Sequence, residues 1–343
     1  MTVEILSTHT SALFAAAVKR AAKLLRAGEV VALPTETVYG LAANALDEKA
    51  VAKIFQIKGR PANNPIIVHI AGLEMARRCV TAWPDSAGKL ARAFWPGPLT
   101  LVLPRAKGIP DIVTASGPTV GVRWPAHRFI QAVIRECGFP LAAPSANLSG
   151  RVSPTNAGHV RKQLGDRIPL IVDGGQSQLG IESTVLDLTP LLRASAGMPR
   201  ILRPGTICAE SLAAVVGNLE SRTSNVENRT LRSPGLLRKH YSPKAKLLVL
   251  NWDADADLYH QLVTRQVSLI TCHVIAHTHI PSVEHFARIS VIPRDAEAFA
   301  RAIYAELHRC DAAGARWIVV ETPPEAPEWS AIADRLRRAS VSR

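Results

Sequence analysis

The sequence predicts an α/β protein of about two domains. Three observations carry this. Short β-branched runs that stop at a proline or a turn recur along the chain, and Ala/Leu-rich amphipathic segments of helical length alternate with them. The chain's 343 residues also exceed the ~150 typical of one domain. With 47% apolar and 20% charged residues the chain has the means to bury a core, which excludes wholesale disorder.

Residues 11–27 (SALFAAAVKRAAKLLRA) join strong helix formers to interspersed basic residues and run into Gly28, so they read as an amphipathic helix. VVALP (30–34) is a β-branched run stopped by proline, hence a buried strand. Helix 47–57 follows, with Asp47 as its cap. Strands are expected at 66–70, 99–104, 119–124, 140–144, 169–173, 183–188 and 200–204, and helices at 126–137 and 155–164. Helix 208–219 leads into the polar, aperiodic SRTSNVENRT and then SPGLLRKHYSPKAK, which its Ser-Pro steps hold extended. Residues 208–245 therefore read as a linker between a domain at 1–207 and one at 246–343. The second domain repeats the alternation, with strands at 246–250, 266–271, 288–292 and 316–321 and helices at 256–264, 295–309 and 328–338. Phe299, Ile303 and Leu307, spaced i, i+4, i+8, give the 295–309 helix one apolar face. Trp317 and Trp329 read as packing residues. No internal repeat or low-complexity tract is present.

No apolar run reaches the ~18 residues of a membrane span. The opening MTVEILSTHT lacks the basic and apolar regions of a secretory signal. The expectation is a cytoplasmic protein with no membrane partner. Cys79, Cys137, Cys208, Cys272 and Cys310 form no CxxC pair and are odd in number, so buried free thiols are expected rather than a zinc ribbon or a disulfide framework. Net charge is 41 − 28 = +13, of which residues 1–205 carry 24 − 13 = +11. A basic first domain attracts polyanions, and nucleic acid and nucleoside triphosphate both fit.

The familiar nucleotide-binding and hydrolase motifs are missing: no GxxxxGK[ST], no GxGxxG after a strand, no HExxH, no GxSxG and no kinase set. A phosphate would have to be held by side chains. Polar loops directly after strands are the candidates: 35–40 (TETVYG), 58–65 (KGRPANNP), 145–150 (SANLSG), 174–176 (GGQ) and 182–184 (EST). Lys58 and Arg60 suit a triphosphate, or else form a solvated helix end. Arg123, at the end of a strand, is either a carboxylate clamp or a surface strand end. His69, in an apolar strand, is by residue type alone more often a core histidine than a ligand. Trp95 and Trp124 each precede a proline and read as packing.

KGRP (58–61) together with SAN (145–147) is similar to the signature of the YrdC-like family. PTETVYGL (34–41), NPIIVHI (64–70), WPGPLTLVL (95–103), PSANLSG (144–150) and ESTVLDL (182–188) match it too. RKHYSPKAK (238–246) and the DRLRRAS ending resemble the long, two-domain form of the family, the threonylcarbamoyl-AMP synthases. The resemblance implies a twisted mixed-sheet catalytic domain and a small Rossmann-like α/β domain after it. It implies joining of L-threonine, bicarbonate or CO₂, and ATP into threonylcarbamoyl-AMP with loss of pyrophosphate. Mg²⁺ would ride on the nucleotide, with no protein-ligated metal. The product would serve modification of adenosine 37 in tRNAs reading ANN codons, through a separate transfer complex. By the resemblance, Thr37, His69, Arg123, Ser183 and the Ala143 backbone hold threonine, with Arg123 on its carboxylate. Lys58, Arg60, Asn64, Thr119, Ser145, Asn147, Ser153 and Arg203 hold ATP, and Lys58, Arg60, Ser145 and Asn147 carry the chemistry. Tyr241 folds over the mouth of the site and completes the ATP set. The segment 189–202 is longer than the family pattern, so Arg203 is assigned from its RPG context, with Arg193 and Arg200 as competitors.

Two other readings stand beside this one. The +11 first domain fits a double-stranded RNA-binding or ribosome-assembly protein, although aromatic residues are only 5% and no stacking platform is visible. Carbamoyl transfer, as in hydrogenase maturation proteins that contain this domain, ranks last. The second domain reads as a cover, a dimer surface or a docking surface for the transfer complex.

Overall fold

The computed structural model describes residues 2–192, 197–220, 240–282 and 285–341. Arg193 lies outside the described residues, as do 221–239 of the expected linker.

Among the described residues the first domain builds one ten-stranded mixed sheet. Its strands are β1 (Glu4–Ser7), β2 (Val31–Leu33), β3 (Gly40–Asn44), β4 (Val68–His69), β5 (Leu99–Pro104), β6 (Thr119–Arg123), β7 (Leu141–Ala142), β8 (Leu170–Asp173), β9 (Thr184–Asp187) and β10 (Arg200–Arg203). They lie in the order β1-β8-β2-β3-β7-β4-β6-β5-β9-β10. β3 runs antiparallel to both β2 and β7, while β4 is parallel to β6 and antiparallel to β7. The sheet is apolar on both faces because period-2 alternation sends neighbours to opposite cores. Val31 and Leu33 pack with helices Ser11–Arg26 and Arg128–Cys137, while Ala32 joins Val51 and Ile54 of helix Glu48–Lys58. Asp47 caps that last helix as expected, accepting from the Lys49 and Ala50 amides.

Among the described residues the second domain builds a four-stranded, wholly parallel sheet: β11 (Lys246–Leu250), β12 (Cys272–Ala276), β13 (Arg288–Val291) and β14 (Trp317–Glu321), in the order β11-β14-β12-β13. Phe299, Ile303 and Leu307 are buried in helix Ala296–Ala312, as their spacing predicts. The expected strand 266–271 is corrected to Cys272–Ala276. QVSLIT is β-rich in composition, yet Gln266 has a left-handed φ of 55° and Ile270 is 81% exposed, whereas every residue of CHVIA is buried.

The domains share one apolar cluster. Val38, Val152 and Ile181 of the first domain pack with Tyr241, Ala245, Tyr304 and Trp329. At Gly180 (φ +77°) an added Cβ would lie 2.4 Å from the Ala300 carbonyl oxygen, so the two backbones approach where no side chain fits. Helix Ala209–Val216, expected as the start of the linker, packs against helix Asp85–Phe94 and places Leu212 in the first core. All five cysteines are free thiols, Cys208 being the only one not buried. No helix among the described residues is long and apolar enough to cross a membrane.

Candidate active site

The sequence predicts loops; the site draws as much on strands. A cavity with a free volume of about 50 Å³ is lined by the β2–β3 loop (Thr35, Thr37, Val38, Tyr39), His69 of β4, Arg123 of β6 and Ala143–Ser145 after β7. Glu182 and Ser183 before β9, Arg203 of β10, Arg60, and the His240–Tyr241 pair complete it.

Local hydrogen bonds fix each wall. The Thr35 hydroxyl accepts from the Thr37 and Val38 amides and turns the loop inward. Tyr39 Oη donates to the Gly175 carbonyl at 2.7 Å and ties this loop to the one after β8. Arg123 is 3% exposed, not a surface strand end. It donates to Glu36 Oε1 at 2.6 Å, Thr37 Oγ1 at 3.0 Å and the Gly97 carbonyl at 3.2 Å. Two of its five N–H groups are left over. Arg203 donates to both the carbonyl and the hydroxyl of Ser183 at 3.0 Å. Arg60 is held by the Asn64 and Pro65 carbonyls and by Asn64 Oδ1.

Lys58 is no solvated helix end: it is 2% exposed and donates to the Ser145 and Asn147 carbonyls. Burial, with the Arg60 charge beside it, pulls its pKa well below the ordinary lysine value. Burial likewise lowers Arg60 and Arg203. Against the upward push of burial, Arg123 holds Glu36 below the usual carboxylate range, and Arg335 with Arg203 does the same for Glu182. Burial takes His69 down to about 3, so it is neutral. Of the charged side chains that line the cavity, three are cations (Arg60, Arg123, Arg203) and one is a carboxylate (Glu182), a formal excess of 3 − 1 = +2. Buried charge persists where it is matched, so this cavity calls for an anion. Buried polar atoms without a protein partner collect in and around it: His69 Nδ1, Tyr241 Oη, His240 Nδ1, Asn64 Nδ2, Asn147 Oδ1 and Glu36 Oε2. His69 is thus not a satisfied core histidine.

Of the residues that the sequence singles out, Thr37, Arg60, His69, Arg123, Ala143, Ser145, Ser183, Arg203 and Tyr241 come together on the cavity. Lys58, Asn64, Asn147 and Ser153 stand one contact behind it, Ser153 donating to Glu182. Thr119 lies at the opposite end of β6 from Arg123, ~13 Å along the strand. Arg200 pairs with Glu220 at 2.7 Å, away from the cavity lining. Trp95 is buried packing, its Nε1 donating to the Leu99 carbonyl. Sequence reasoning gave no role to Glu182, Tyr39, His240 or Arg335. All four stand in quoted strings (EST, TETVYG, RKHYSPKAK and DRLRRAS), so the motifs contained them without saying what they touch.

Residues 23–205 match the Sua5/YciO/YrdC family, described as "Telomere recombination", and residues 207–341 match "Threonylcarbamoyl-AMP synthase, C-terminal domain". The chain is 38% identical to the threonylcarbamoyl-AMP synthase of Pyrococcus abyssi, covering 94% of each, and 39% identical to that of Bacillus subtilis, covering 95% of this chain and 93% of the relative. The crystal structure of P. abyssi Sua5 complexed with L-threonine superposes with a TM-score of 0.88 at 36% identity, over 99% of this chain and 98% of that one. A mixed-sheet domain with a cation-lined cavity, covered by His240 and Tyr241 and followed by a second α/β domain, is the architecture of a two-domain transferase. The chain belongs to the threonylcarbamoyl-AMP synthase family.

Proposed function

We propose that the protein condenses L-threonine, bicarbonate or dissolved CO₂, and ATP into L-threonylcarbamoyl-AMP with release of pyrophosphate. This is the first step of threonylcarbamoylation of adenosine 37 in tRNAs that read ANN codons. The product passes to a separate transfer complex in the cytoplasm, and tRNA is met only indirectly. The observation that carries the reading is the set of buried cations around the cavity, which suits the phosphates of a nucleotide and a carboxylate.

The threonine amine attacks CO₂, forming the carbamate C–N bond and losing a proton; from bicarbonate, that proton leaves with the displaced hydroxide as water. A carbamate oxygen then bonds to the α-phosphorus as the Pα–O–Pβ bond breaks and pyrophosphate departs. No covalent enzyme intermediate is needed, so catalysis is positioning and charge stabilisation. Arg123 takes the threonine carboxylate with its two remaining N–H groups, and Thr37, His69, Ser183 and the Ala143 backbone surround the amino acid. Arg60 and Arg203 face the phosphates with Ser145, while Lys58, Asn64, Asn147 and Ser153 support that wall and Thr119 meets the nucleotide farther out.

Among the described residues no group of three or more His, Cys, Asp or Glu side chains is placed to hold a metal. Glu182, the carboxylate on the cavity, already accepts from Ser153, Tyr304 and Arg335. Mg²⁺ is read as an ion carried on the triphosphate, as part of the substrate.

A free volume of about 50 Å³ is far below the ~300 Å³ and more of a ligand pocket, so the His240–Tyr241 cover moves when ATP enters. Tyr241 holds a left-handed φ of 62°, unusual for a side chain of that size, which marks this cover as strained. Closed, it shields a carbamate and an adenylate from water.

The test is pyrophosphate release from Mg-ATP, measured with and without L-threonine and bicarbonate. Release that requires both is expected; release indifferent to threonine would sink the reading.

A further inference from the structure

The acidic wall of the cavity is held from the other domain. Arg335 lies in helix Ser330–Ala339 and is 2% exposed. Its Nε donates to Glu182 Oε2 at 2.8 Å and its Nη2 to the Pro204 carbonyl at 2.9 Å. Its Cζ stands 5.1 Å from the centre of the Tyr241 ring. Glu182 and Tyr241 line the cavity, and Pro204 directly follows Arg203, which lines it too. Tyr304, from the same second domain, donates to Glu182 Oε2 at 3.1 Å, and Asp334 steadies the guanidinium from its Nη1 side at 3.1 Å. One planar fork thus touches two residues of the cavity lining and the backbone next to a third, each with a different group.

An arginine suits this task because its donors are fixed in one plane and its face stacks on an aromatic ring. A buried guanidinium that served only to glue two domains would be satisfied by any carboxylate at their boundary; this one ends on residues of the site.

We infer that Arg335 is a positioning residue. Through it the second domain holds Glu182, the Arg203–Pro204 backbone and the Tyr241 ring in the arrangement that receives the nucleotide. The inference rests on the ATP-dependent reading above. Arg335 meets no substrate and acts only through the wall it orders, which gives the second domain a share in the first domain's site.

The test uses the full chain and steady-state pyrophosphate release, with ATP and threonine varied separately, for Arg335→Met, Arg335→Lys and Tyr304→Phe. Losing a charge-assisted contact on the nucleotide side is expected to raise KM for ATP about tenfold or more in Arg335→Met while KM for threonine stays within about twofold. Tyr304→Phe moves KM for ATP in the same direction, about two- to fivefold, and Arg335→Lys, which keeps the charge but loses the fork and the stacking face, falls between Arg335→Met and wild type. Equal rises in both KM values that Arg335→Lys does not relieve, or no change in a folded Arg335→Met, overturn the inference. Should Arg335→Met fail to fold, unchanged KM for ATP in both Tyr304→Phe and Arg335→Lys overturns it instead. A wild-type chain that releases no pyrophosphate overturns the ATP-dependent reading and this inference with it; an active wild type with indifferent variants overturns this inference alone.

Discussion

Lys58 ends a helix, yet its ammonium is turned inward onto two backbone carbonyls, so its removal has a structural cost besides any chemical one. Lys58→Ala leaves a small cavity and two carbonyls short of a donor, and should lower unfolding free energy by about 2–4 kcal/mol in denaturant titrations as well as abolish synthesis. Stability equal to wild type would contradict the burial described. Arg123 acts on the opposite wall. Arg123→Lys keeps the charge but loses the fork that spans Glu36 and Thr37, so KM for threonine should rise about tenfold to a hundredfold with KM for ATP little changed. The buried histidines set a pH dependence. His69, His159 and His240 are each brought down by burial to about 3, below their unfolded value of 6.5. Between those values the unfolded chain binds more protons than the folded one. Stability is therefore greatest above pH 6.5 and is lost as pH falls towards 3, by up to about 1.4 kcal/mol per pH unit per histidine. Denaturation midpoints at pH about 7.5 and about 5.5 check this, a lower midpoint at the lower pH being expected.

At the scale of elements, the Arg203–Gly205 turn shows how tightly β10 is set against β9. An added Cβ at Gly205 would lie 2.2 Å from the Thr184 amide nitrogen, backbone that cannot yield cheaply. Gly205→Ala should cost more than about 2 kcal/mol of stability and move Arg203, raising KM for ATP; an unchanged KM for ATP in the folded variant would contradict the placement of Arg203 on the nucleotide side. The same scale shows what was legible in the sequence. Strands with β-branched runs, such as LTLVLP and PLIVD, were readable nearly to the residue. β3 was not: GLAAN carries no β-branched residue and is a strand only because its neighbours pair with it. Helices Leu73–Cys79, Asp85–Phe94 and Asp111–Thr114 were also missed, being short and introduced by glycine or proline rather than a polar cap. In the site, motif strings held many of the residues that line the cavity, but Arg123, Ala143 and Arg203 lie outside them and Thr119 stands at the far end of β6. The strings did not reveal that Glu36 orients Arg123 or that Arg335 reaches Glu182, because contacts 87 and 153 residues apart leave no local pattern.

At the scale of the whole molecule, the second domain is part of the site's architecture. It braces the wall by the bonds of Arg335 and Tyr304 to Glu182, shares an apolar cluster with Val38, Val152 and Ile181, and anchors the cover through His240, whose amide donates to the Arg338 carbonyl. Gly180→Ala would drive a Cβ into the Ala300–Arg301 backbone at a left-handed φ. It should loosen domain docking, seen as faster protease cleavage between the domains, and lower synthesis together with it; intact docking in the folded variant would count against this account of the interface. The RNA-binding alternative needs an open basic face, whereas Arg60, Arg123 and Arg203 are buried around a cavity. The central claim is the ATP-dependent capture of one-carbon carbonate on threonine. The most direct test is to incubate the full chain with Mg-ATP, L-threonine and isotopically labelled bicarbonate and to identify the adenylate by mass spectrometry. The account predicts threonylcarbamoyl-AMP that carries the label and is absent when threonine is omitted. An adenylate without the label, or nucleotide turnover that ignores threonine, would contradict it.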